Sequence, residues 1–205
     1  MALRVLGIDP GSRATGWALV IAEGNRYQFE RAGVIRPRGN ERHRRLSNLR
    51  EVLARVVEEL APDSEVVIMS AAVADFRPVT TRSSKIKKGA GGPDLKLEGT
   101  EDILARLQTI APNALRIGFA AETGELEEEA RRKMKEKGAH WIVANDVSRS
   151  DIGFGSEHNE VTVFRRNKPA VTLGRQAKRR IAGRLLDLVK QELDGVEAEV
   201  AVTSG

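Results

Sequence analysis

The spacing of apolar side chains predicts three strands at the start of the chain. Residues 3–9 form an apolar run that ends in a carboxylate, and residues 15–22 and 26–35 are two further strand-like segments. The turn Glu23-Gly24-Asn25 joins the second and third segments and is typical of a hairpin. We therefore expect these three strands to form an antiparallel meander.

A helix is predicted over residues 41–60, because its apolar side chains recur every three or four residues. These side chains are Leu46, Leu49, Leu53, Val56, Val57 and Leu60. Pro62 ends the helix. Five arginines lie mostly outside this apolar stripe, so the opposite face is basic.

From residue 65 onward strands alternate with helices, which is typical of an α/β fold with a parallel sheet. The predicted strands are residues 65–69, 115–120 and 140–144, with a hairpin at about 160–173. The predicted helices are residues 100–110, 125–138 and 175–193. Residues 77–99 are rich in Gly, Pro, Ser, Thr and Lys and are predicted as one long loop, and the tail after Leu193 is expected to fray.

Composition narrows the class of protein. The 205 residues are 40% apolar and 31% charged, with no cysteine, so disulfides and zinc–cysteine sites are excluded. Neither a membrane-spanning run nor a signal-peptide layout is present, and we expect a cytoplasmic protein with no membrane partner. The net charge of +5 fits either a polyanion partner or well-solvated basic helices. Eight aromatic side chains are too few for an extended base-stacking platform.

Residues 6–17, Leu-Gly-Ile-Asp-Pro-Gly-Ser-Arg-Ala-Thr-Gly-Trp, resemble the opening of the RuvC-type Holliday junction resolvases. The resemblance extends to about residue 63 and implies a ribonuclease H-like start with two-metal chemistry. It places the family's first metal-binding carboxylate at Asp9. The next carboxylate position is occupied by Met69, whose thioether cannot hold magnesium. Asp9 is therefore either a weak, vestigial cation site or a strand-end carboxylate without a ligand.

A second resemblance covers residues 65 to 193. Residues 69–78, Met-Ser-Ala-Ala-Val-Ala-Asp-Phe-Arg-Pro, are similar to the phosphopantothenoylcysteine synthetases, the phosphopantothenate–cysteine ligases of coenzyme A biosynthesis. Further motifs of that family follow in order. They are Lys85-Ile86-Lys87-Lys88, Asp102-Ile103-Leu104, residues 118–123, Asn145-Asp146-Val147-Ser148 and residues 153–156.

This second resemblance implies a site in which CTP activates a carboxylate that cysteine then attacks. It places the catalytic lysine at Lys85 and the substrate loop at Asn145 and Asp146. The nucleotide-binding residues that it implies are Ala71, Ala72, Asp75, Lys85, Lys88 and Phe119. CTP and Mg²⁺ are the implied ligands, and a homodimer through this part of the chain is the implied assembly. The family's Gly-Gly-Thr turn and Asn-x-Ser-Ser-Gly segment are absent.

Together these resemblances predict one hybrid domain over residues 1–205, with a resolvase-derived segment 1–63 and a ligase-derived segment 64–205. The expected fold is α/β: a single mixed sheet with helices on both faces, in which three antiparallel strands join a Rossmann-like parallel half in the order 3-2-1-4-5-6. The favoured interpretation is an engineered chimera without a complete active site, which retains at most CTP or phosphate binding. One alternative is an active phosphopantothenate–cysteine ligase. The other is a DNA-junction-binding protein or nuclease, with DNA binding that is not expected to be specific.

Overall fold

The structure, a computed structural model, describes residues 2–9, 11, 14–24, 26–36, 42–70, 76–79, 96–148 and 156–203. Ten strands and four helices lie within these ranges. In chain order they are β1 (Ala2–Asp9), β2 (Thr15–Glu23), β3 (Arg26–Ile35), α1 (Arg42–Leu60), β4 (Val66–Met69), β5 (Phe76–Pro78), β6 (Leu97–Gly99), α2 (Ile103–Ile110), β7 (Leu115–Glu122), α3 (Leu126–Glu136), β8 (Trp141–Asp146), β9 (His158–Arg165), β10 (Lys168–Ala177) and α4 (Lys178–Thr203).

Eight of these strands form a mixed sheet in the order β10-β9-β8-β7-β4-β1-β2-β3. The predicted α/β class is confirmed. The predicted order 3-2-1-4-5-6 is also confirmed, since its strands 5 and 6 correspond to β7 and β8, and the C-terminal hairpin β9–β10 extends the sheet beyond β8. The predicted antiparallel meander is β1-β2-β3, and the turn between β2 and β3 has Gly24 at a φ of 55°. Glycine adopts this left-handed conformation without the steric cost that a Cβ would impose.

The chain divides into two compact units within β7. The first comprises Met1–Gly118 with Glu136–Ala139, and the second comprises Phe119–Lys135 with His140–Gly205. The division between the units therefore falls at Gly118, and residue 63 lies inside the first unit.

Strand β4 is the centre of the first unit. It is parallel to β1 on one side and to β7 on the other, so Ile8, Met69 and Gly118 share one register. Its Val66 and Val67 are completely buried. This burial on both faces explains why β4 has an uninterrupted apolar sequence.

Helix α1 buries the predicted apolar stripe in the same unit. Leu53, Val57 and Leu60 are buried, while Leu49 and Val56 are half-buried. The prediction of an amphipathic helix ending before Pro62 is confirmed.

Arg116 of β7 is a buried charged residue that ties two turns of the first unit together. Its guanidinium donates to the carbonyls of Ala111, Pro112 and Ala114, at 3.1, 2.9 and 3.3 Å, in the turn after α2. It also donates at 3.1 Å to the carbonyl of Gly138, in the turn after α3. These bonds give a side-chain donor to backbone carbonyls of both turns, which are costly to bury without a partner.

Gly138 is constrained by the same arrangement. Its φ is 58°, and a Cβ there would lie 2.0 Å from the Gln108 side chain. The left-handed backbone conformation therefore favours glycine, and a larger residue would also have to displace the Gln108 side chain of α2.

Two details differ from the sequence prediction. The expected long loop over residues 77–99 is not a loop at its ends, because Phe76–Pro78 and Leu97–Gly99 pair as an antiparallel two-stranded sheet. The two short strands are far apart in the sequence, so local sequence patterns do not reveal their pairing. Helix α4 also continues to Thr203, beyond the predicted helix end at Leu193.

In the second unit, β9 and β10 form the predicted hairpin and β9 pairs with β8. Ile181, Leu185 and Val189 are the buried side chains of α4, at the spacing of one helix face. Within the described part of the chain, no helix is both long and apolar enough to cross a membrane.

Replacing Arg116 by methionine is expected to lower the free energy of unfolding by about 2–4 kcal/mol, because buried carbonyls lose their donor. Urea titration followed by circular dichroism measures this change. The matched control is Arg131→Met, which removes an exposed pair with Glu127 and is expected to cost less than about 0.5 kcal/mol. Equal losses in the two variants would contradict this account of Arg116.

Candidate functional site

In the first unit, the carboxyl ends of the parallel strands β1 and β4 lie side by side at one edge of the sheet. Open α/β sheets bind ligands at this edge. Just beyond β4, the Ser70 N–H and hydroxyl both donate to the Ile8 carbonyl, at 3.0 and 2.7 Å. The chain is thus anchored where segment 71–75 begins.

Most residues of the predicted nucleotide cradle lie outside the described residues. They are Ala71, Ala72, Asp75, Lys85 and Lys88. Their assignments, including that of Lys85 as the catalytic lysine, stay predictions. The structure describes the residues on either side of them: Ser70 precedes Ala71, and the paired strands β5 and β6 flank the stretch that contains Lys85 and Lys88.

Asp9, the predicted vestigial cation ligand, is an exposed residue at the end of β1. The Met69 thioether is buried at the end of the adjacent strand, with 2% of its surface exposed. Among the residues that the structure describes, no group of three or more His, Cys, Asp or Glu side chains is placed to hold a metal ion. The assignment of Asp9 stays a prediction.

In the second unit, the carboxyl ends of β7 and β8 meet. The Val147 N–H donates to the Glu122 carbonyl at 2.9 Å. Phe119, the predicted neighbour of the cytosine, is half-buried on β7. Asn145 and Asp146 are the last two residues of β8 and are also half-buried, so both remain within reach of a ligand.

Asp146 orders the turn that follows β8. Its Oδ1 accepts hydrogen bonds from the Ser148 N–H at 2.9 Å and from the Ser148 hydroxyl at 2.6 Å. This Asx-type turn fixes the direction in which the chain leaves the sheet. The predicted substrate loop therefore begins with a defined geometry.

Lys133 of α3 forms an ion pair with Glu122 at the end of β7, and this pair was not predicted from the sequence. Lys133 precedes the buried Met134 on a helix whose other buried residue is Ala130. The only indication of this pair in the sequence is a lysine next to the apolar stripe of α3. The pair places a cation and a carboxylate beside the end of β7.

The Asp102-Ile103-Leu104 motif has a structural role in the first unit. Asp102 is the N-cap of α2 and accepts hydrogen bonds from the N–H groups of Leu104 and Ala105. Lys137 forms an ion pair with the same carboxylate at 2.9 Å. The capping carboxylate thus fixes where α2 begins.

Comparison with known proteins identifies the family. Residues 36–193 match the sequence pattern of the DNA/pantothenate metabolism flavoprotein C-terminal domain. The chain is 46% identical over 101 residues to the coenzyme A biosynthesis bifunctional protein CoaBC of Bacillus subtilis, which is 49% of this chain and 25% of that protein. It is 34% identical over 185 residues to the CoaBC protein of Thermococcus kodakarensis, covering 85% of this chain and 44% of that protein. The chain thus spans less than half the length of these curated relatives.

Solved structures agree on the fold. The crystal structure of the C-terminal domain of a CoaBC protein superposes with a TM-score of 0.55 at 32% identity, over 73% of this chain and 65% of that chain. A DNA/pantothenate metabolism flavoprotein from Streptococcus pneumoniae has a TM-score of 0.54 at 22% identity and covers 69% of each chain. The latter supports the fold alone.

These matches correct the interpretation of the chain as an engineered chimera without a complete active site, which is wrong. The family match begins at residue 36 and runs through α1 and β4 without a break at residue 63. An alignment over 85% of the chain also enters residues before 64. None of these matches supports a resolvase-derived segment.

The chain therefore belongs to the DNA/pantothenate metabolism flavoprotein C-terminal domain family.

Proposed function

We propose that the chain is a CTP-dependent phosphopantothenate–cysteine ligase domain. The observation that carries the proposal is the continuous family match over residues 36–193, together with relatives named as bifunctional proteins of coenzyme A biosynthesis. Because the chain spans less than half of those relatives, the proposal concerns the ligase activity and not their second function.

In the proposed reaction the carboxylate of phosphopantothenate attacks the α-phosphorus of CTP and releases pyrophosphate. The amine of cysteine then attacks the acyl carbon and releases CMP. Lys85 and Lys88 would offset the charge of the CTP phosphates, which a mobile ammonium group does well. Mg²⁺ would enter with CTP, bound mainly to phosphate oxygens.

The described strand ends support this assignment. Segment 71–75 starts at the anchored Ser70, where open α/β sheets bind ligands. The half-buried Phe119 offers an aromatic face for the cytosine. The turn ordered by Asp146 would hold Asn145 toward the substrate. A homodimer through residues 64–205, which the ligase resemblance implies, is part of the proposal.

Lys85→Ala is expected to reduce the formation of phosphopantothenoylcysteine at least 100-fold, because the transition-state charge loses its cation. Mass spectrometry of the product, with CTP, phosphopantothenate and cysteine each omitted in turn, measures the effect. Lys135→Ala is the matched control, since it removes the same charge from an exposed position on α3. Absence of product from the unaltered chain would reject the ligase proposal. Equal activity of the two variants would reject the role of Lys85.

Two substitutions of Asp146 separate its charge from its role in the turn. Asn can still accept both hydrogen bonds from Ser148, whereas Ala cannot. If the carboxylate acts only by ordering the turn, Asp146→Asn should retain turnover within about threefold and Asp146→Ala should lose about tenfold or more. Steady-state kinetics distinguishes the cases. An equally large loss in both variants would show that the charge itself is required.

A further inference from the structure

Strand β3 is an edge strand with an exposed apolar stripe. It pairs with β2, and no other described strand pairs with its second side. Tyr27, Phe29 and Val34 are 49%, 68% and 53% exposed. Edge strands of this length and polarity readily pair with another strand unless something blocks them.

The side chains of β3 are arranged by face. Gln28 lies opposite Ile21, which lies opposite Arg4, so Gln28 and Arg4 are on one face of the sheet. Glu30 is on that face too, because Arg4 donates to both of its carboxylate oxygens, at 3.0 and 2.7 Å. Tyr27 and Phe29 alternate with these residues and occupy the other face.

The segment Arg26-Tyr27-Gln28-Phe29-Glu30 is complementary to its own reverse. If two copies run antiparallel with Gln28 opposite Gln28, then Arg26 lies opposite Glu30 and Tyr27 lies opposite Phe29. Each pair then lies on one face, with opposite charges together and aromatic rings together. Such cross-strand pairs stabilise antiparallel sheets. A shift that places Phe29 opposite itself would leave Arg26 opposite an alanine.

We propose that β3 is a self-association surface through which two copies of this chain pair edge to edge, antiparallel, about a two-fold axis at Gln28. A two-fold contact of this kind uses the same strand twice and closes after two copies. The partner's Arg26 meets a carboxylate that stays ionised, since hydrogen bonding from Arg4 lowers the pKa of Glu30.

The β-bulge in β3 limits the paired segment. Leu19 lies opposite Arg31 and Val20 opposite Phe29, so Glu30 has no opposing residue on β2. A bulge bends the strand and ends regular pairing. The regular ladder before the bulge therefore covers Arg26 to Phe29, and the bulged Glu30 ends the self-complementary segment. This interface is separate from the proposed homodimer through residues 64–205.

A cysteine cross-link tests the two-fold axis, because the chain contains no cysteine of its own. Opposed residues in antiparallel strands have Cα atoms about 4.5–5.5 Å apart, within the range of about 4.4–6.8 Å that a disulfide spans. Gln28→Cys should therefore form a disulfide-linked dimer under mild oxidation. Ala32→Cys is the matched control, because its copies would be about 27 Å apart in this pairing.

The expected result is dimer cross-linking at least tenfold faster for Gln28→Cys than for Ala32→Cys, read on a non-reducing gel. Equal rates, or no cross-link at Gln28→Cys, would overturn the proposal. Sedimentation velocity gives a second measurement: Phe29→Lys should weaken self-association at least tenfold, whereas Val34→Lys, on the same face but outside the paired segment, should not. A dimer that forms without the Gln28→Cys cross-link would place self-association elsewhere and would also overturn the proposal.

Discussion

The parallel pairing of β4 with β1 and β7 is the interaction on which the first unit depends. The completely buried Val66 and Val67 lie between these neighbours. Pairing extends one residue further, since the Glu65 N–H donates to the Arg4 carbonyl and the Glu65 carbonyl accepts from the Leu115 N–H. Through β4, the antiparallel meander and the first half of β7 share one register. The same register places Ser70 next to Ile8, where the proposed nucleotide-binding segment begins.

The turns after α2 and α3 are held by buried charge rather than by apolar packing alone. Arg116 bonds to carbonyls in both turns, and Lys137 pairs with the N-cap Asp102 of α2. A buried guanidinium is expensive to desolvate and stabilises the fold only when its donors are satisfied. The four carbonyls accept from Nε and Nη1 of Arg116 and so satisfy these two donor nitrogens. Arg116 and Lys137 thus both contribute to local order beside α2 and α3.

Periodicity in the sequence was enough to predict most of the fold. The apolar stripe of α1, the meander and the alternation of later strands and helices all depend on local spacing, which the structure reproduces. The pairing of β5 with β6 could not be predicted, because two three-residue strands joined by a long segment carry little local signal. The predicted junction at residue 63 was wrong, because the family match runs through it from residue 36.

The site was predictable in part. Family motifs singled out Phe119, Asn145 and Asp146. The structure locates Asn145 and Asp146 at the end of β8 and Phe119 within β7, and their roles stay predictions. The partner of Lys133 could not be predicted, because a lysine beside an apolar stripe indicates its helix face but not its contact with Glu122 on β7. The Ser70 bond to Ile8 likewise joins residues far apart in the chain. Contacts of this kind follow from tertiary structure and not from local composition.

The central claim, that this chain activates a carboxylate with CTP, is tested most directly by a single-turnover reaction without cysteine. The protein is mixed with CTP and phosphopantothenate, quenched and analysed by mass spectrometry. The account predicts a phosphopantothenoyl-cytidylate and an equal amount of pyrophosphate, with the cytidylate consumed when cysteine is added. Intact CTP, with neither cytidylate nor pyrophosphate at any time, would contradict the account.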